Sequence, residues 1–98
     1  MEIVKNRSGN ALTVKVSGRI DSVTSTELED SLQGELDDVT DLTFDFSELE
    51  YISSAGLRIL LFSQRRMNKQ GKMKVTGIND TVREIFEVTG FLGILTIE

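Results

Sequence analysis

Apolar residues alternate with polar ones at Leu12, Val14 and Val16, recur four apart at Leu28, Leu32 and Leu36, and alternate again at Leu42, Phe44 and Phe46. A period of two is that of a half-buried strand, and a repeat every three to four residues is that of a helix with one buried face. A chain that switches between the two periods in turn is held to an α/β fold, with helices as crossovers between strands of a largely parallel sheet.

The rest of the chain keeps the alternation. Ile3 and Val4 predict a short strand, and the Ser8-Gly9-Asn10 turn signal joins it as a hairpin to the strand of Leu12. Thr24-Ser25-Thr26-Glu27 has capping-box spacing ahead of the Leu28 helix, Gly34 weakens that helix's last turns and Asp37-Asp38 ends it. Leu57, Leu60 and Leu61, widened by Ile59 and Phe62, predict a helix after Ser54 that is buried over much of its circumference, and Gly71 fits its end. Met73 and Val75 mark another strand. Asn79 or Asp80 can cap a third helix carrying Val82, Ile85 and Phe86 on one face and ended by Gly90, and Ile94-Leu95-Thr96-Ile97 reads as a last strand. The expected order is β-β-α-β-α-β-α-β in one domain over residues 1–98. Its sheet should be mixed but mostly parallel, of about four or five strands, with an antiparallel first pair and right-handed crossovers.

Several kinds of chemistry are excluded by what is missing. The 98 residues leave no room for a second core. No histidine or cysteine occurs, which removes Ser-His-Asp and Cys-His nucleophilic machinery and the usual transition-metal ligands. No phosphate-binding Gly-x-x-x-x-Gly-Lys loop occurs either. Asp37, Asp38 and Asp41 could hold a hard cation weakly but read better as a polar loop. The expectation is a protein that is not an enzyme and has no cofactor and no metal of its own. No apolar run is long enough to cross a membrane, and the N-terminus reads directly into a strand, which leaves a cytoplasmic location as the expectation.

Charge is unevenly placed. Residues 1–53 hold 4 Lys and Arg against 12 Asp and Glu, whereas residues 54–98 hold 7 against 4, within a net charge of −5. The acidic half argues against nucleic acid as the main partner, because neutralising phosphate dominates that affinity. Arg65, Arg66, Lys69, Lys72 and Lys74 cluster without an aromatic residue among them, and read as a solvated helix end whose cations complement the dipole.

One stretch carries most of the functional signal: Asp45-Phe46-Ser47-Glu48-Leu49-Glu50-Tyr51-Ile52-Ser53-Ser54-Ala55-Gly56-Leu57. It begins as a strand, ends as an apolar helix, and sets a serine pair at the helix start, where unpaired amides and the dipole welcome an anion. A serine there can serve only as an N-cap, or can also accept a phosphate that the helix end would tolerate. In open α/β sheets, sites form beyond the carboxyl ends of strands. Ser53 and Ser54 follow the third predicted strand and Asp21 the second, so they are expected to converge. Asp21 reads as a turn residue or cap for the first helix before it reads as a partner contact, Gly56 as a close-packing position before one of partner access, and Glu48 and Glu50 as solvated loop charges.

Asp45-Phe46-Ser47 followed by Tyr51-Ile52-Ser53-Ser54-Ala55-Gly56-Leu57-Arg58 resembles the STAS-domain family, in particular bacterial anti-sigma factor antagonists. Gly18-Arg19-Ile20-Asp21 is similar to the family's Gly-x-Leu/Ile-Asp, and Asp80-Thr81-Val82-Arg83-Glu84-Ile85-Phe86 with Thr89-Gly90-Phe91 to its late helix. The ordered set covers nearly the whole chain. The resemblance implies a STAS-like domain that acts as a phosphorylation-controlled protein-binding switch. Unphosphorylated, it sequesters an anti-sigma factor that is also a serine kinase and so releases a sigma factor, and a partner phosphatase resets it. Ser54 is the implied phosphoacceptor. Many antagonists carry Asp directly before that serine; Ser53 stands there in this chain, which makes Ser53 the second choice. Asp21, Ser22, Ser53, Ser54, Ala55, Gly56 and Arg58 are the implied partner-binding residues. Two other readings remain open: a STAS scaffold module of a sensory or transport complex, and a domain that binds a small molecule or nucleotide at the helix N-terminus.

Overall fold

The expected hairpin is longer than its apolar residues suggested. In a computed structural model describing residues 1–98, β1 (Glu2–Ser8) and β2 (Ala11–Ile20) pair antiparallel from Glu2 opposite Ser17 to Ser8 opposite Ala11. The chain then forms α1 (Thr24–Leu32), β3 (Asp41–Asp45), β4 (Leu49–Ile52), α2 (Ser54–Gln70), β5 (Lys72–Thr76) and α3 (Asp80–Val88), and ends in a 3-10 turn at Phe91–Gly93. The five strands form one mixed sheet in the order β1-β2-β3-β5, with β4 added to β2. β3 lies parallel to β2 with Ala11 beside Asp41 and Lys15 beside Asp45, and β5 lies parallel to β3. β4 runs parallel to the far end of β2, Ile20 beside Ile52, past a register shift at Gly18. Gly18 takes a φ of 89°, which favours glycine, and its N–H donates to the Glu48 carbonyl at 3.0 Å.

One face of the sheet is sealed. Leu12, Val14 and Val16 of β2, Leu42 and Phe44 of β3, and Met73 and Val75 of β5 are buried with Leu28 and Leu32 of α1, Leu57, Leu60 and Met67 of α2, and Val82 and Phe86 of α3. The alternate residues Thr13, Lys15, Thr43, Asp45, Lys74 and Thr76 are only half-buried. Period-two patterning therefore marks a sheet covered by helices on one face and partly open to water on the other.

Several local expectations are corrected. α1 does not start on a Thr24–Glu27 box: the reciprocal bonds join Asp21 and Thr24, one turn earlier. It ends at Leu32, and Leu36, though buried as its spacing suggested, lies in the connection to β3. Glu48 and Glu50 flank and enter β4 and do not belong to a free loop, so the serine pair follows the fourth strand and not the third. Ile94–Ile97 is no full strand. Residues 91–93 coil into the 3-10 turn, and a single bridge from Ile97 to Val75 remains.

Candidate functional site

The pairing of β2 with β4 builds the site. Ile20 and Ile52 are register partners, both buried, and the Ser53 N–H donates to the Ile20 carbonyl at 2.7 Å. The residues that follow each strand, Asp21 and Ser53, are thereby set side by side at the carboxyl edge of the sheet. Parallel pairing carries one turn to the start of α1 and the other to the start of α2.

At the α2 end the two serines divide the work. Ser53, not Ser54, is the N-cap: its backbone is extended (φ −88°, ψ 174°) and its Oγ accepts from the Gly56 N–H at 3.4 Å. Ser54 is the first helical residue, and its side chain is exposed. The N–H groups of Ser54 and Ala55 have no acceptor in the fold. An exposed hydroxyl thus stands beside two open amides at the positive end of a 17-residue helix. Gly56 lies beneath: a Cβ there would come within 2.6 Å of Ile20 Cγ2 and 2.7 Å of Ile52 Cγ1. The packing reading of Gly56 has direct geometric support, since both isoleucines are fixed in the core. Ala55 is half-buried, and Arg58 is exposed one turn further along α2.

Asp21 closes the other turn. Its Oδ1 accepts from the N–H groups of Thr24 at 2.8 Å and Val23 at 2.9 Å, while its own N–H donates to Thr24 Oγ1 at 2.8 Å. The Thr24 N–H, then the Val23 N–H, hold its carboxyl below the usual aspartate range. Asp21 is accordingly a cap for α1, in a turn that adjoins the serine turn through the Ser53 N–H bond to the Ile20 carbonyl. Ser22 is exposed at the same place. All seven residues singled out in the sequence fall on these two adjoining segments.

Three contributors were not legible in advance. Val23 is 74% exposed at the rim, off the Leu28 face and without any periodic signal. The Arg19 guanidinium stacks 4.5 Å from the centre of the Tyr51 ring, a pair set by the β2–β4 register and therefore invisible while β4 read as a loop. Phe62, assigned to the apolar stripe, is 57% exposed. The carboxylates considered for a cation are held elsewhere: Asp38 by Arg7, Asp37 by Arg66 at 2.7 Å and Asp41 by Lys72 at 4.0 Å. No helix is long and apolar enough to cross a membrane.

Known proteins share this fold. The family model described as "Mlab, STAS domain" matches residues 3–96. The "Putative anti-sigma factor antagonist BtrV" of Bordetella bronchiseptica is 30% identical over 99 residues, spanning 99% of this chain and 85% of that protein. The anti-sigma-B factor antagonist of Listeria monocytogenes is 25% identical over 97 residues, 97% of this chain and 85% of its own length. An anti-sigma factor antagonist from Mycobacterium paratuberculosis has a TM-score of 0.88 at 26% identity, over 98% of this chain and 83% of that one. Unphosphorylated SpoIIAA, at 16% identity and a TM-score of 0.83 over 99% of this chain and 88% of its own, is similar in fold alone. With the family model running over nearly all of its length on the fold these proteins share, this chain belongs to the STAS domain family.

Proposed function

We propose that this chain is an anti-sigma factor antagonist that works as a phosphorylation-controlled binding switch with Ser54 as its phosphoacceptor. One observation carries the reading: Ser54 is exposed at the first position of α2, beside two amides without acceptors. Relatives described as anti-sigma factor antagonists support the choice of partner. The partner is an anti-sigma factor that also acts as a serine kinase, and a phosphatase reverses the modification. The chain is then a substrate and a binding partner, not an enzyme, and it binds in the unphosphorylated state.

The switch follows from electrostatics. A phosphate brings about −1.5 to −2 charge. The α2 end tolerates it within the chain, because the amides and dipole face it. At an interface the same charge must be desolvated, and an unpaired charge there costs about 2–5 kcal/mol, a loss of roughly 30-fold or more in affinity. Incubation with the cognate kinase and ATP should add one phosphate that persists in Ser53→Ala and disappears in Ser54→Ala. Titration calorimetry against the purified anti-sigma factor should show Ser54→Ala binding like wild type and Ser54→Asp binding about 30-fold more weakly or not at all. Equal affinity of all three would sink the switch and favour a scaffold.

A further inference from the structure

α2 carries Arg58, Arg65, Arg66 and Lys69 and no acidic residue. Arg66 is paired with Asp37. Arg58, Arg65 and Lys69 are exposed and make no ion pair and no side-chain hydrogen bond. Complementing the helix dipole accounts for cations in the last turn, but it gives nothing to Arg58, which sits one turn from the positive end. In the middle of these cations lies Phe62, 57% exposed. Its inner edge borders a groove between α1 and α2 lined by Glu29, Leu32, Gln33, Ile59 and Ser63.

The spacing makes these features one surface. Ser54, Arg58 and Phe62 are four apart, and Arg65 and Lys69 continue the same face at the following turns. The phosphoacceptor of the switch is the first residue of the ridge. α2 is the one α-helix without an acidic residue in a chain of net charge −5, and its exposed cations complement an acidic surface.

We propose that the outer face of α2 is the second half of the docking surface and takes an acidic face of the anti-sigma factor, with an apolar side chain of that partner seated against Phe62 in the α1–α2 groove. This rests on the reading of the chain as an antagonist. Arg58, Arg65 and Lys69 steer and orient the partner, and Phe62 supplies the desolvated anchor. A phosphate on Ser54 then acts twice: it adds like charge against the acidic partner, and it lies within one turn of Arg58, a cation the partner needs.

The test is titration and stopped-flow association of the purified anti-sigma factor with wild type, the Arg65→Glu/Lys69→Glu double variant, Phe62→Ala and Ser54→Asp, at low and high salt. Far-UV circular dichroism checks that each is folded. The double variant should bind at least about tenfold more weakly, through a slower association, and should lose most of the salt dependence. Phe62→Ala should bind roughly tenfold more weakly through faster dissociation, with the salt dependence kept. If Ser54→Asp fails to bind while both α2 variants stay within about twofold of wild type, the surface is overturned and the switch stands. If the α2 variants lose affinity while Ser54→Asp binds like wild type, the surface stands and the switch is lost. Absence of binding by wild type overturns both.

Discussion

Two adjacent serines at the start of α2 have opposite duties. Ser53 turns inward to the backbone, receiving the Gly56 N–H, while its own N–H anchors the turn to β2. Ser54 turns outward and bonds to nothing that the fold needs. Losing a cap side chain costs about 0.5–2 kcal/mol, and the 3.4 Å length of this bond puts Ser53 at the lower end. Ser53→Ala should therefore lower stability by about 0.5–1 kcal/mol, a few degrees in the midpoint for a domain of this size. Ser54→Ala should stay within about 0.5 kcal/mol of wild type, because it removes no native bond and adds a good helix former. Paired thermal melts settle the order, and a larger loss for Ser54→Ala would return the cap to Ser54. Sequence spacing found the serine pair but could not divide it. The division depends on where the strand before it stops, and β4 was not seen.

At the scale of elements, the connection from α1 to β3 is tied down from a distance. Gln70, the last residue of α2, donates through Nε2 to the carbonyls of Leu36 at 2.6 Å and Val39 at 2.7 Å. These bonds fasten a segment without regular structure whose Leu36 and Val39 side chains are buried. The Leu36 carbonyl still accepts from the Val39 N–H at 3.2 Å, so Gln70→Ala leaves only the Val39 carbonyl unpaired; an unpaired buried acceptor costs about 1–3 kcal/mol, and the variant should be destabilised by about that amount. Gln70→Glu should be worse at neutral pH, since a carboxylate has no hydrogen to donate and would face two carbonyl oxygens. Urea unfolding of the three forms checks the order, and a Glu variant as stable as wild type would refute this role for Gln70. Contacts of this kind, 31 and 34 residues apart, are beyond any local pattern. Long elements with clear periods, such as β2 and α2, were legible; β4 was not. Its four residues carry one period of alternation, and pairing with β2 past the Gly18 shift is what makes them a strand. Ile94–Ile97 misled in the other direction: its β-branched residues suit a strand, yet the 3-10 turn before it leaves the chain only one bridge to β5. Asp21 and the serine pair lie at strand ends whichever strand is counted, and the Ser53 N–H bond to the Ile20 carbonyl juxtaposes them.

Across the whole molecule, three carboxylates in separate places share one electrostatic property. Asp21 is held below its ordinary range by the N–H groups of Thr24 and Val23, Asp38 by its hydrogen bond from Arg7, and Asp45 by the Ser47 N–H, which donates to it at 3.0 Å. A carboxyl depressed in the folded state contributes stability above its unfolded value of about 3.9, and that contribution disappears as pH falls through the lower folded value. Stability should therefore be nearly level from about pH 7 to 5 and decline below about pH 4, with the steepest part beneath the unfolded carboxylate value. The Arg7–Asp38 pair is exposed and screened by salt, whereas the amide bonds to Asp21 and Asp45 are local and short-ranged, so added salt should remove only part of the decline. The three sites lie on different elements and share no partner, so the effects of Asp21→Asn, Asp38→Asn and Asp45→Asn on the acid limb should add. Asp21→Asn keeps an oxygen for the Val23 and Thr24 amides but no charge; it should flatten the acid limb while leaving α1 in place. Urea midpoints from pH 7 to about pH 2.5 make the comparison, with far-UV circular dichroism reporting the helix. A wild-type midpoint that holds steady to the acid end would show that these carboxylates do not couple to folding, and an Asp21→Asn limb as steep as wild type would remove Asp21 from the account.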